Sequence, residues 1–273
     1  MSPSASISRL DMMDIRVYQV DAFSSKVLGG NPAAVCPLTA WLDDPTMQAI
    51  AEENNLSETA FFVPKGESYG LRWFTPRYEV DLCGHATLAA AFVIFTEIGA
   101  KDRVRFESRS GPLEVVQIGG RLSMDFPALR MTAVAGPSLL IEGLGAAPIE
   151  VFRVTEDTNY FAIYGSEEEV RAINPDLARL EQLHPYGVAV SAPGKNSDCV
   201  TRYFAPSYGI PEDPVTGSIH CALAPYWSNR LNKKNICARQ LSRRGDELFC
   251  SPLGNRVRIS GYATKYLEGV ICL

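Results

Sequence analysis

One pattern occurs twice in this chain and limits what it can fold into. RWFTPRY begins at Arg72 and RYFAPSY at Arg202, each reading Arg, aromatic, Phe, small residue, Pro, any residue, Tyr. Each runs on to a glycine that opens an apolar stretch, Gly84 in GHATLAAAFVIF and Gly217 in GSIHCALAPYW. The flanks repeat as well. In the first half, DIRVYQVDAF, TAFFVP and YGLRWFTP predict strands, and LGGNPAAV a turn entering another. DDPTMQAIAEENN predicts a short helix with Asp44 as N-cap and Pro45 at its first position. GHATLAAAFVIFTEIGA, apolar nearly all round, predicts a buried helix closed by Gly99, with short strands after it around 104–106, 113–118 and 122–126.

The second half runs in the same order. IEVFRV, YFAIYG, GVAVSA and CVTRYFAP predict strands, and SEEEVRAI a helix capped by Ser166. TGSIHCALAPYWSNRL predicts the second buried helix, which Pro225 should kink or end. Strands are expected near 238–242, 248–251 and 257–259, and ATKYLEGVICL is one more. One fold written twice is the economical account: an α+β chain of two pseudo-symmetric lobes, each a mixed sheet wrapped around a central helix. A length of 273 residues also favours two lobes over one core. The expected boundaries are 14–126 and 127–273, with the last strand, 263–273, a candidate to pack on the first lobe. Residues 1–13 are polar and expected to fray.

Composition excludes several partners. A formal charge of −5, with no basic cluster beyond Lys233-Lys234 and Arg243-Arg244, offers no footprint for nucleic acid or an anionic membrane. The longest apolar run, Ala86–Phe95, is far short of the ~20 residues that span a bilayer, and the N-terminal stretch lacks the apolar core of a signal peptide. Seven scattered cysteines with no C-x-x-C fit reduced thiols, so a cytoplasmic protein is expected. His85, His184 and His220 show no zinc-ligand spacing with the cysteines, so no metal is expected. GGNPAAV has neither dinucleotide-fold nor phosphate-loop spacing, which disfavours a nucleotide-dependent enzyme.

Pseudo-two-fold symmetry places equivalent loops opposite one another across a cleft. Helix N-termini carry unpaired N–H groups and about half a positive charge, so two facing one cleft would hold a small anion without a basic side chain. Around the first helix start lie Asp81, Cys83 and His85; around the second, Glu212, Asp213, Thr216, Ser218 and His220. Glu58, in ENNLSETAFF, lies where apolar neighbours could dry it into a general base. On pattern alone Glu58 is equally an exposed strand-start glutamate. His85 and His220 read also as interior histidines, Asp213 as a turn residue or helix cap, and Gly84 and Gly217 as aids to close packing.

GNPAAV, NNLSETAF, WFTPRYEVDLCGHATLAAAF, EDPVTGSIHCALAPYW and QLSRRGDEL, in that order, closely resemble the PhzF-like isomerases of phenazine-biosynthesis type. Those enzymes belong to the diaminopimelate epimerase-like fold. The resemblance covers residues 14–273 and implies a two-lobed, cofactor-independent, often homodimeric enzyme with its site between the lobes. It implies catalysis by Glu58 from the N-L-[ST]-E motif, with His85, Asp213 and Ser218, and substrate binding at Asn31, Gly84, Gly217 and Thr216.

Both branches of that fold move a proton from carbon. In the epimerase branch two thiols face each other, but aligning the halves on Gly84 and Gly217 sets Cys83 opposite Thr216, whose hydroxyl is no base near neutral pH. Cys221 lies a turn too deep. A single carboxylate suits an isomerase that lifts a proton from a small unsaturated or cyclic carboxylic acid and returns it elsewhere on the same face. The alternatives are a racemase or epimerase using Cys83, and a silent homologue that only binds a small molecule. A phenazine precursor is one candidate substrate among several, and Tyr208, Tyr226 and Arg244 are candidates for specificity.

Overall fold

The computed structural model describes residues 13–99, 102–155 and 158–273. The expectation for the first twelve residues falls outside them. The first half comprises β1 (Asp14–Ala22), β2 (Asn31–Pro37), α1 (Asp44–Asn54), β3 (Glu58–Lys65), β4 (Ser68–Phe74), β5 (Glu79–Val80), α2 (Gly84–Val93), β6 (Arg103–Ser108), β7 (Gly111–Ile118) and β8 (Arg121–Pro127). The second opens with β9 (Met131–Ala133), α3 (Ser138–Leu144), β10 (Glu150–Val154), β11 (Asn159–Ile163), α4 (Glu167–Ala172), α5 (Leu177–Glu181), β12 (Gly187–Pro193) and β13 (Cys199–Phe204). It continues with α6 (His220–Leu231), β14 (Ile236–Gln240), β15 (Asp246–Leu253) and β16 (Arg256–Gly261), and the chain ends on β17 (Ala263–Cys272).

Strand pairing repeats step for step. In the first half β1/β2 is antiparallel, β2/β3 parallel, β3/β4 antiparallel, β4/β6 parallel, and β6/β7 and β7/β8 antiparallel. In the second the same series runs β10/β11, β11/β12, β12/β13, β13/β14, β14/β15 and β15/β16. The halves join where β8 pairs with β16, and β17 returns to pair with β1. Each parallel step needs a crossover, supplied by a helix in every case. The architecture is the α+β fold written twice that the repeat implies.

α2 and α6 share the largest core cluster, and Ala86 and Leu88–Ala91 have no more than 0% exposure. The alanines let strands close around a helix that a larger side chain would push off, whereas Leu88→Ala would leave a cavity costing about 2–5 kcal/mol. α2 runs on into a wider turn over Ile94–Ile98, and Gly99, at φ 93°, closes it as expected. Ser166 caps α4 in a reciprocal box with Glu169.

Three local expectations change. Asp43, not Asp44, caps α1 by accepting the Thr46 N–H at 2.8 Å, which frees Asp44 to pair with Arg72. The second central helix opens at His220 rather than near Gly217, because Gly217–Ile219 form tight turns in which each carbonyl accepts from the N–H three residues on. Pro225 does not end α6, which continues to Leu231. A proline there lacks the N–H that would bond the carbonyl four residues back. That carbonyl, Cys221 O, instead accepts from Leu129 N–H at 2.9 Å, tying the segment after β8 to the helix.

The doubled Arg motif has a structural use. Arg72 clamps Glu79 through two bonds of 2.7 Å, and Arg202 clamps Glu212 at 2.7 and 3.0 Å. Each guanidinium also lies over the Phe of its own motif, at 5.1 Å from Phe74 and 4.8 Å from Phe204. A bidentate pair of this kind pins the returning loop just before the glycine that opens the central helix.

Candidate active site

The two helix starts face one cavity of about 400 Å³, lined from both halves. Glu58, Cys83, Gly84 and His85 come from the first half, and Asp213, Thr216, Gly217 and Ser218 from the second. All four side chains expected to be catalytic therefore meet there. Glu58 is the first residue of β3 and is 9% exposed, so it is no surface glutamate. Its Oε2 lies 3.0 Å from His85 Nε2, yet the two are not aligned as a hydrogen bond, and neither atom has another partner among the described residues. Two buried, unspent polar atoms at a cavity are costly to the fold and suited to a ligand.

A row of polar side chains crosses from one half to the other. Asn31, at the start of β2 and fully buried, donates through Nδ2 to Asp213 Oδ1 at 2.8 Å and to Val215 O at 3.0 Å. Its Oδ1 accepts from the Ser57 hydroxyl at 3.2 Å. Thr216 donates its hydroxyl to Asp213 Oδ2. Behind this loop the buried Gln240 accepts from Thr216 N–H at 2.8 Å and donates to Asp213 O at 2.7 Å. His85 Nδ1 lies 3.5 Å from Cys83 Sγ.

Burial sets the proton affinities. It pushes Asp213 up to about 6, against the opposing pull of His85, Thr216 and Asn31. Burial, and then the Glu58 carboxylate, also raise Cys83, which therefore stands as a thiol. For His85 burial works the other way, but the facing Glu58 carboxylate opposes it and the ring stays above its ordinary value. Donor atoms of Glu58, Cys83 and His85 lie within 4.8 Å of one another, which spacing in the sequence could not foretell. The imidazole stands between the other two, Nδ1 toward sulfur and Nε2 toward the carboxylate.

Packing does not demand the two glycines. A Cβ on Gly84 would meet only Phe126 at 3.9 Å, and one on Gly217 only Phe23, at 3.5 Å, with neither φ in the left-handed range. A side chain at either position would take up cavity space beside N–H groups that have no intrahelical acceptor.

Other candidates fall away from the cavity. Glu212 serves Arg202, and Asp81 is exposed. His220 is buried behind the loop with Nδ1 2.9 Å from Thr216 O, and burial lowers it to about 4. Tyr208 bonds Thr158 and Pro185 O, Tyr226 bonds Glu150, and Arg244 bonds Asp21 at 2.7 Å, so none of the three lines the cavity. Its walls are instead Phe23, Phe126, Leu129, Tyr203, Ile210 and Cys221, and among the described residues no lysine or arginine lines it. Tyr203 belongs to the repeated Arg motif and Cys221 to the stretch after Gly217, whereas the other wall residues come from scattered elements with no motif to mark them. No helix among the described residues is long and apolar enough to cross a membrane.

Known proteins share this arrangement of chain. A family model described as phenazine biosynthesis-like protein (PhzC-PhzF) matches residues 20–269. A Pseudomonas aeruginosa protein named an uncharacterized isomerase is 51% identical over 262 residues, covering 96% of this chain and 100% of that one. The human phenazine biosynthesis-like domain-containing protein is 36% identical, covering 95% and 99%. The crystal structure of a PhzF-family phenazine biosynthesis protein from Enterococcus faecalis matches with a TM-score of 0.92 at 44% identity, over 96% of this chain and 100% of that one. A hydroxyproline epimerase from Agrobacterium vitis, 11% identical with a TM-score of 0.61 over 95% and 93%, shares the fold alone. Doubled architecture, matched motifs and full-length relatives agree: the chain belongs to the phenazine biosynthesis-like PhzC-PhzF family.

Proposed function

We propose that this family member is a cofactor-independent isomerase that moves a proton within a small unsaturated or cyclic carboxylic acid. The observation that carries the reading is the pair of unspent atoms, Glu58 Oε2 and His85 Nε2, 3.0 Å apart at the cavity. A carboxylate with a free oxygen can take a proton from carbon and return it on the same face; the second-half position equivalent to Cys83 is Thr216, although Cys221, four residues past Gly217, also lines the cavity. The relatives named isomerases support the reaction class.

In this reading the substrate carboxylate, and the charge that develops as the proton leaves, rest on the N–H groups at Gly84 and Gly217. Apolar walls exclude water and strengthen that interaction. Glu58 is the general base and then the acid. His85 holds it or shares its proton, while Asp213 and Ser218 orient polar groups of the substrate. Asn31 and Thr216 keep Asp213 in place. A homodimer of such subunits is expected from the family resemblance.

The racemase alternative needs a thiolate on one face and a second base opposite. Cys83 is a buried thiol, and Thr216 spends its hydroxyl on Asp213. Proton NMR in deuterated water with dihydroaromatic and α-amino carboxylic acids separates the two. Deuterium entering a substrate with a shifted double bond, and lost in Glu58→Gln, is the expected outcome. Exchange at an α-carbon that survives Glu58→Gln but fails in Cys83→Ser would transfer the assignment to a racemase. Binding of an acid with no exchange at all would point to the silent homologue.

A further inference from the structure

The inference concerns the thiol that the proposed isomerisation leaves without a task. Cys83 immediately precedes α2, is 7% exposed, and turns its sulfur toward His85 Nδ1. Among the described residues the other polar group bonded near that nitrogen is Asn31 Nδ2, at 3.4 Å. A primary amide has two N–H donors. Asn31 places one on Asp213 Oδ1 and the other on Val215 O, and flipping it would set oxygen against two acceptors. Asn31 therefore has no proton to give His85. The thiol hydrogen can instead point at Nδ1, 3.5 Å from the sulfur.

We propose that Cys83 is a positioning residue, whose thiol donates to His85 Nδ1 and so keeps the neutral imidazole protonated at Nε2, the nitrogen facing Glu58. The partner at one ring nitrogen decides where the proton sits on the other. When the ring is charged both nitrogens carry protons, so Nε2 presents an N–H near the carboxylate whatever Nδ1 faces. When it is neutral the thiol at Nδ1 acts together with Glu58, whose Oε2 would repel an Nε2 lone pair at 3.0 Å, to disfavour the other tautomer. Asp213, reached through Asn31, is the remaining titratable group beside the ring and makes no direct bond to it. Cys83 thus serves as a fixed donor rather than as base or nucleophile, and its use as a relay rests on the isomerase reading.

The chain has three histidines, so ¹⁵N-histidine labelling yields a spectrum of three rings, and His85→Asn identifies the signal of interest. Long-range ¹H–¹⁵N spectra followed upward in pH until the ring loses its charge should show wild-type His85 as the Nε2–H tautomer alone. Cys83→Ala should lose that purity to a mixture containing Nδ1–H, and Cys83→Ser, which keeps a donor, should restore it. Wild-type His85 protonated at Nδ1, or an unchanged tautomer in Cys83→Ala, would overturn the proposal, and the wild-type spectrum decides even if a variant does not fold. With an active substrate, Cys83→Ala should lower kcat by about tenfold and move KM by less than about twofold. The tautomer requires no substrate, so it can stand while the isomerase reading fails, and the reverse is equally visible.

Discussion

The two halves share a pairing order and an Arg clamp, and they part company at the places that meet the cavity. From Glu79 and Glu212 they run in step, setting Val80 against Asp213, Cys83 against Thr216, Gly84 against Gly217 and His85 against Ser218. At the start of the equivalent strands Glu58 stands against Gly187, because Thr59 pairs with Phe74 as Val188 pairs with Phe204. The clamp spans seven residues in the first half and ten in the second, and the longer loop brings Ile210 to the cavity wall. Duplication supplied a scaffold and two glycine turns that face one cavity. The proposed base and relay were built on one wall only, the buried acid Asp213 on the other.

Glu58→Gln should break the asymmetry most completely. Removing the general base while keeping shape should cut exchange by about a thousandfold or more, about 4 kcal/mol, with thermal unfolding unchanged. Parallel turnover and melting curves check this, and activity within tenfold of wild type would remove Glu58 from the mechanism.

Asp213→Asn comes next. Folded Asp213 keeps its proton up to about 6, whereas the unfolded residue loses it near 3.8. Between those values the folded chain binds more protons, so this group's contribution to stability falls as pH rises through the window, by about 3 kcal/mol in all. Denaturant unfolding from pH 4 to 7 should therefore find the variant more stable than wild type at neutral pH, with the gap closing on acidification.

The glycines test the shared feature. Gly84→Ala and Gly217→Ala should each weaken carboxylate binding about a hundredfold, about 3 kcal/mol, by filling the space over the N–H groups. Gly84→Ala should meanwhile gain up to about 1 kcal/mol in stability, as alanine does in a helix. Calorimetric titration with unfolding separates the two effects, and a destabilised protein would revive the packing explanation.

Gly187 tests why the second half has no base of its own. A Cβ there would run into the Tyr203 hydroxyl and into Asn159 Oδ1, which bond each other at 2.8 Å. Gly187→Ala should cost about 2 kcal/mol through overpacking, read as a lower denaturation midpoint. Effects of equal or smaller size belong to the clamps. Arg202 also donates to Ile173 O at 2.6 Å, at the end of α4, whereas Arg72 reaches only the exposed Asp44. Arg202→Lys should cost about 2 kcal/mol and Arg72→Lys about 1 kcal/mol, because an ammonium cannot make the bidentate contact.

Much of the site was legible because local chemistry marked it. Glycines before an apolar helix, an acid beside a proline and a glutamate before aromatic β-formers are short-range signals, and Glu58, His85, Asp213 and Ser218 carry them. The same local logic failed at Asp44, where the cap lies one residue earlier, and at Pro225, where a distant N–H takes over the orphaned carbonyl. It also nominated Tyr208, Tyr226 and Arg244, whose polar ends serve the scaffold.

By itself, then, the sequence determined the doubled α+β order, the two glycine turns ahead of the central helices and the acidic and imidazole groups beside them. Periodicity, capping and turn preference act over a few residues and are written where they act. Only the tertiary structure decided that Asn31 bridges the halves to Asp213, that Gln240 braces that loop, and that an imidazole parts Cys83 from Glu58. Those contacts join residues far apart in the chain. Their worth comes from burial, which strips away water, shifts Asp213 and leaves Glu58 Oε2 without a partner.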